Sequence, residues 1–322
     1  MAATAAPTDP PVRSRDRRPF DWRQYVVYIG FVAIFAVFAV TLNDDGFLNS
    51  TNLLNIARQS AIIAVMAVAM TFVISTAEID LSVGSVAGLA SVVTAMAIGS
   101  YGLIGGIVCG VLTGVAVGAV NGALVTFARI PSFLVTLGML GIAHGAAMWI
   151  SDTAPQPISN ETFTNVFGVG TVLGIPVLVF WMVAALAIGH VVLRRAPFGR
   201  RVLATGGNED AAAFSGVNTR RVKFSVLLLS GTVAGIAGML YAGRFQSGRF
   251  EWGAGDELSV IAAAILGGTS LFGGKGSVVG AVTGALLMGL INNGLILMGL
   301  EFSQQQVVRG VIIILAVALA RR

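Results

Sequence analysis

From residue 25 to the C-terminus the chain keeps returning to apolar stretches long enough to cross about 30 Å of hydrocarbon. Between them lie short polar or basic interruptions. Hydrocarbon offers no water to backbone N–H and C=O groups, so a chain crossing it must bond them internally, as helices or as a closed barrel. The apolar runs here are unbroken rather than alternating, which selects helices. Composition agrees: 56% of residues are hydrophobic and 11% are charged, where soluble domains carry about 25% charged residues. The expected fold is an all-α polytopic membrane protein.

Basic residues set its orientation. Residues 194–223 carry Arg194, Arg195, Arg200, Arg201, Arg220, Arg221 and Lys223 against only Glu209 and Asp210. Basic loops stay cytoplasmic. The arm at residues 1–24, rich in Ala, Pro and Arg, reads as disordered and cytoplasmic, and Arg321 and Arg322 place the C-terminus on the same side. Hydropathy gives ten spans, near residues 25–42, 61–76, 83–98, 103–127, 133–150, 172–193, 224–242, 258–271, 278–300 and 307–320, with a short helix at 51–58 before the second. Six before the central loop and four after it keep every basic cluster inside and leave the Lys/Arg-free loop 151–170 outside. The net charge of +5 is therefore read as span flanks, not as a nucleic-acid surface. Residues 25–322 form one membrane domain with 194–223 as its cytoplasmic loop.

That loop looks structured. Pro197, Gly199, Gly206 and Gly207 break or turn the backbone. Asn208 is placed to cap a short helix running through Ser215, with Glu209 and Asp210 at the positive end of its dipole.

The halves echo each other. Asp80, Leu81, Ser82 and Val83 precede Gly102, Gly106, Gly110, Gly114, Gly118 and Gly122; Glu257, Leu258, Ser259 and Val260 precede Gly276, Gly280 and Gly284. By the span count the first copy starts inside and the second outside, which makes an inverted repeat of the kind transporters use. Glycines four apart also serve close helix packing.

Chemistry of other kinds finds little support. The stretch Gly268, Thr269, Ser270, Leu271, Phe272, Gly273, Gly274, Lys275, Gly276 imitates a phosphate-binding loop, but an extra glycine precedes Lys275 and no Ser or Thr follows it. It reads as a glycine-rich membrane turn. His144, His190 and Cys109 are isolated, so no metal site, cofactor site or catalytic residue is assigned and an enzyme is not expected. Glu78 and Asp80 are bracketed by apolar runs and placed at the cytoplasmic edge. Asp80 or Ser82 can N-cap the third span, or the carboxylates can gate.

The chain at this point resembles a known family. Glu78 to Ser85 reads EIDLSVGS, similar to the IDLSVGS motif of permease subunits of sugar-importing ABC transporters of the ribose/xylose/autoinducer type. Phe198 to Arg200, Ala204 to Asn208 and Ala211 to Val217 resemble that family's central cytoplasmic segment, and Glu257 to Ser277 its C-terminal block. Glu78 departs from the pattern, where glycine is commoner. The resemblance implies a bacterial inner-membrane permease working with a second permease subunit, identical or not. Two ABC ATPase domains on separate chains would carry ATP and Mg, and a periplasmic or extracellular solute-binding protein would deliver a sugar or sugar-like solute. It assigns ATPase coupling to Asn208, Glu209, Asp210, Ala211, Ala212, Ala213, Phe214, Ser215, Gly216 and Val217. Within that frame Arg244, Arg249, Glu251, Asp256 and Glu257, grouped at the outer end between two spans, can receive the binding protein. Ser82, Ser85 and Ser259, which open each repeat, offer uncharged hydroxyls to a passing sugar. A secondary carrier of a small polar solute is the alternative, and would need charged, unwound sites in mid-span.

Overall fold

The computed structural model describes residues 26–320; the N-terminal arm, Arg321 and Arg322 lie outside the described residues. In chain order the elements are α1 (Val26–Thr41), α2 (Ser50–Ser75), α3 (Val83–Thr126), α4 (Ser132–Ile150), β1 (Gln156–Pro157), α5 (Glu161–Phe167), β2 (Thr171–Val172), β3 (Ile175–Pro176), α6 (Val177–Arg194), α7 (Pro197–Gly207), α8 (Glu209–Phe214), α9 (Thr219–Phe245), β4 (Ser247–Gly248), α10 (Asp256–Leu266), α11 (Val278–Leu297) and α12 (Phe302–Ala320). Among the described residues six helices are long and apolar enough to cross a membrane: α2, α3, α4, α6, α9 and α11. The chain is a multi-pass membrane protein.

The 44 residues of α3 are not one rod. Gly102 sits at φ +74°, ψ −172°, a conformation that glycine adopts without Cβ strain, and the helix doubles back there. Gly106 faces Thr94 and Ile98 on the preceding arm. At the far end Asn121 Nδ2 donates to Ser82 Oγ at 3.0 Å. Residues 83–101 and 103–126 are therefore two antiparallel arms.

The second arm lies against α9 along small residues. Gly110, Gly114 and Gly118 face Gly231, Gly235 and the backbone of Leu227 and Leu228, and a Cβ at Gly118 would fall 2.8 Å from Leu227 O. Lipid tails supply no hydrophobic drive between helices, so such backbone approach is what holds them. On the C-terminal side, Gly280 packs on Gly267 and Gly284 on Ala263 in the same manner. The ladder glycines thus do the packing work that their spacing suggests.

Three expectations need correction. Residues 51–58 and 61–76 are not a helix and a separate span but one helix, α2, capped by Asn49 Oδ1 on the Thr51 N–H. Two polar groups at the supposed break bond within the helix: Ser60 Oγ donates to Ile56 O at 2.8 Å and Arg58 Nη1 to Asn55 Oδ1 at 3.3 Å, while Arg58 Nε is buried without a partner among the described residues. The stretch 258–271 does not span. Helix α10 has 11 residues, a rise of about 16 Å, and ends at Gly267 before Gly268 turns the chain at φ +89°. Glu78 and Asp80 do not share the cytoplasmic edge, because residues 76–82 climb into the bundle.

That climb can be measured along α9. Glu78 pairs with Lys223, four residues into α9, whereas Asp80 accepts a hydrogen bond from Ser230, eleven residues in. At 1.5 Å per residue those are heights of about 6 and about 16 Å. A second segment enters from the other end. Gly248 packs on Ser91 and Ala95, the Arg249 N–H donates to Ser91 Oγ at 3.2 Å, Gly88 abuts the Phe250 and Trp252 carbonyls, and Gly84 abuts Gly253 and Glu257. Residues 248–255 thus descend the first arm of α3, and α10 begins inside the bundle. The second segment meets the first turn of α3, which follows the first segment directly, at Gly84 and Gly253.

Candidate coupling and translocation site

On the arginine-rich face the capped helix is α8. Asn208 is extended (φ −160°, ψ 108°) and its Oδ1 accepts from the Ala211 N–H at 2.9 Å, as its side chain suggests, with Glu209 and Asp210 in the first turn. The helix closes through Gly216 at φ +84°. The Gly216 N–H bonds to Ala213 O at 2.9 Å and the Val217 N–H to Ala212 O at 3.0 Å, a Schellman closure that satisfies the last carbonyls. A six-residue helix is too short to persist alone in water, so both caps and its seat matter. Ala212 is its one buried residue and faces the chain, while Phe214 is 93% exposed.

Helix α7 provides the seat. It buries Gly199, Val202 and Thr205, and Phe198 stacks on Phe72 of α2 at 6.2 Å. Gly206 lies against Ser75 O at the end of α2, where the Gly274 N–H also bonds, at 3.0 Å. Gly273 and Gly274, at φ +78° and +73°, belong to the turn that imitates a phosphate-binding loop. Their role is a close backbone approach to α7.

Lys223 Nζ lies 2.8 Å from Glu78 Oε1 and 2.7 Å from Glu209 Oε2. One ammonium thereby joins α8, α9 and the foot of the first re-entrant segment. Higher up, Asp80 Oδ1 accepts from the Ser82 N–H (2.9 Å) and Ser82 Oγ (2.6 Å), and Oδ2 from Ser230 Oγ (2.7 Å). Ser82 occupies the N-cap position of α3 but makes no side-chain cap bond. Its backbone is already helical (φ −87°, ψ −11°), and its hydroxyl is committed to Asp80 and Asn121. Neither residue is a simple cap; together they tie the re-entrant segment to both arms of α3 and to α9.

The sequence-predicted outer group divides. Arg249 and Glu251 form an open pair at 3.4 Å, with Arg249 over Trp252. Arg244 lies over Phe245. Asp256 accepts from Tyr241 Oη, and Glu257 Oε2 is buried against Gly84 without a hydrogen-bond partner. The first two belong to the surface and the carboxylates of α10 to the interior. Ser82, Ser85 and Ser259 are 1%, 4% and 2% exposed, all within the first turn of α3 or α10 or beside it, inside this chain.

Sequence reasoning missed Ser230, and it counted Lys223 only as one more basic flank. Nothing in the spacing gave Asn121, Ser230 or Lys223 their partners.

A family model described as the branched-chain amino acid transport system / permease component matches residues 52–317. The chain is 41% identical over 295 residues to the ribose import permease protein RbsC of Bacillus subtilis, covering 91% of this chain and 92% of that one. It is 38% identical over 292 residues to RbsC of Escherichia coli K12 (89% and 91% covered). To the D-allose transport system permease protein AlsC of the same strain it is 36% identical over 313 residues, covering 95% of each. No solved structure matches.

Proposed function

The chain belongs to this permease family, and we propose that it is the membrane subunit of a binding-protein-dependent ABC importer carrying a sugar or sugar-like solute across the bacterial inner membrane. Sugar, rather than the branched-chain amino acid of the family description, is supported by relatives whose names specify ribose and allose over nearly the whole chain. The observation that carries the reading is α8: a doubly capped helix, seated on α7, presenting an aromatic ring to solvent on the arginine-rich face. A secondary carrier has no use for it. A large exposed aromatic on a rigid element is instead the composition of an interface anchor. Its partner here is an ATPase domain, two of which supply ATP and Mg to a pair of permease subunits.

The rest of the architecture follows from that orientation. Ten crossings, counting each arm of α3 and taking residues 248–255 together with α10 as one crossing, keep both termini cytoplasmic. The two re-entrant segments, entering from opposite faces and each followed by a helix, support an inverted repeat meeting near the midplane. The binding protein docks outside, where Arg249 and Glu251 are open to it. The route lies beside the junction of the re-entrant segments, and Ser85 and Ser259 reach it when the junction opens.

The test is Phe214→Ala in the assembled importer. Membrane insertion and thermal stability stay as they are, because the ring is 93% exposed, while ATPase copurification falls at least tenfold. Undiminished copurification would overturn the docking assignment.

A further inference from the structure

We infer that Lys223 is a positioning residue that carries movement of α8 into the first re-entrant segment, residues 76–82. The inference rests on the reading of α8 as the ATPase-docking helix.

Three elements meet on one ammonium: Glu209 from α8, Glu78 from the re-entrant segment, and Lys223 itself from α9, at 2.7 and 2.8 Å. The exposures run in order. Glu209 is 46% exposed at the side chain, Lys223 18% and Glu78 12%, so the chain of contacts leads from solvent inward. Beyond Glu78 the segment is gripped at each step. The Ile79 N–H donates to Ser132 Oγ at 3.1 Å and Ile79 O accepts from Thr136 Oγ1 at 3.3 Å, both on α4. Asp80 then takes Ser82 and Ser230, and Ser82 takes Asn121. A pull on Glu78 therefore reaches α4, α9 and both arms of α3 within four residues.

The surroundings give this contact two positions. A cleft of about 380 Å³ opens beside it, lined by Glu78, Arg129, Ser132, Glu209, Arg220 and Lys223 among others. Arg129 and Arg220 face the same space as the two carboxylates. One lysine holds both acids only while α8 stays within reach of α9. When α8 shifts, a released carboxylate finds an arginine in the cleft rather than bare solvent, and the re-entrant segment is freed from the docking helix. Breaking a half-buried pair without such a replacement is strongly disfavoured; the arginines make the second arrangement accessible.

The experiment uses the complete importer in proteoliposomes, with its ATPase subunits and binding protein, comparing Lys223→Met, Lys223→Arg and Glu78→Gln. The readouts are ATPase copurification, basal ATP hydrolysis and the stimulation of hydrolysis by binding protein. For Lys223→Met and Glu78→Gln we expect copurification and basal hydrolysis within twofold of the parent, with stimulation reduced at least fivefold. Lys223→Arg, which keeps both ion pairs, retains stimulation. Glu78→Gln preserves side-chain volume, so it decides the matter if the methionine variant does not assemble. Normal stimulation in Glu78→Gln, loss of ATPase binding in it, or an arginine variant as impaired as the methionine one overturns the inference. Failure of the docking reading itself shows separately, as intact ATPase binding in Phe214→Ala.

Discussion

Gly114→Ala tests whether the α3–α9 crossing is set by backbone contact. A Cβ at Gly114 would lie 2.9 Å from both Cα and N of Gly235, and closer still to the carbonyl oxygen of Gly231. Ordinary van der Waals contact begins at 3.4 Å, so the backbones must part by at least 0.5 Å (3.4 − 2.9). Nothing at the contact is a flexible side-chain end; the obstacles are main-chain atoms of a helix fixed on its other faces. Overpacking of this kind costs about 1–3 kcal/mol. Alanine also gains about 1 kcal/mol of helix propensity over glycine in a helix interior, which would mask part of the clash. The control is Gly30→Ala in α1, where a Cβ meets nothing within 4 Å. Both variants carry the propensity gain, so their difference isolates the contact. Unfolding by SDS titration in mixed micelles should place Gly114→Ala about 1–3 kcal/mol below Gly30→Ala. Equal midpoints would mean that the helices yield freely there and that the glycine ladder does not determine their approach.

Two further outcomes concern the proposed route and the outer face. In a Cys109→Ala background, Ser85→Cys and Ser259→Cys should label with a membrane-impermeant thiol reagent only when ATP and binding protein are supplied, while Ala87→Cys, packed against Gly238, stays silent; labelling that ignores ATP would move the route elsewhere. Reversing both charges of the open Arg249–Glu251 pair should raise the binding-protein concentration for half-maximal transport several-fold, with the difference shrinking as salt screens the contact, and an unchanged requirement at low and high salt would leave these residues as helix anchors.

Much of the architecture was legible from local chemistry. Apolar length located the membrane helices, because hydrocarbon tolerates only internally bonded backbone. Asn208 announced α8, because a cap bonds within three residues of itself, and the glycine ladder announced close packing. The same reasoning placed a break before residue 61, where Arg58, Gln59 and Ser60 interrupt the hydropathy, and it treated residues 258–271 as a crossing because they are apolar. Hydropathy reports what surrounds a residue, not whether the helix continues or how deep it starts.

What the tertiary structure alone decided are pairings between distant residues. Glu78 and Lys223 are 145 positions apart, and Asp80 and Ser230 are 150. No spacing rule links them, because each pair exists only once α9 has packed against α3 through its glycines. The sequence placed Glu78 and Asp80 together at one edge since they are neighbours in the chain. Their partners Lys223 and Ser230 lie about 10 Å apart along α9, because a non-helical backbone whose Ile79 N–H and C=O are taken up by Ser132 and Thr136 can carry the Asp80 carboxylate to Ser230 inside the bundle where an unsatisfied one could not.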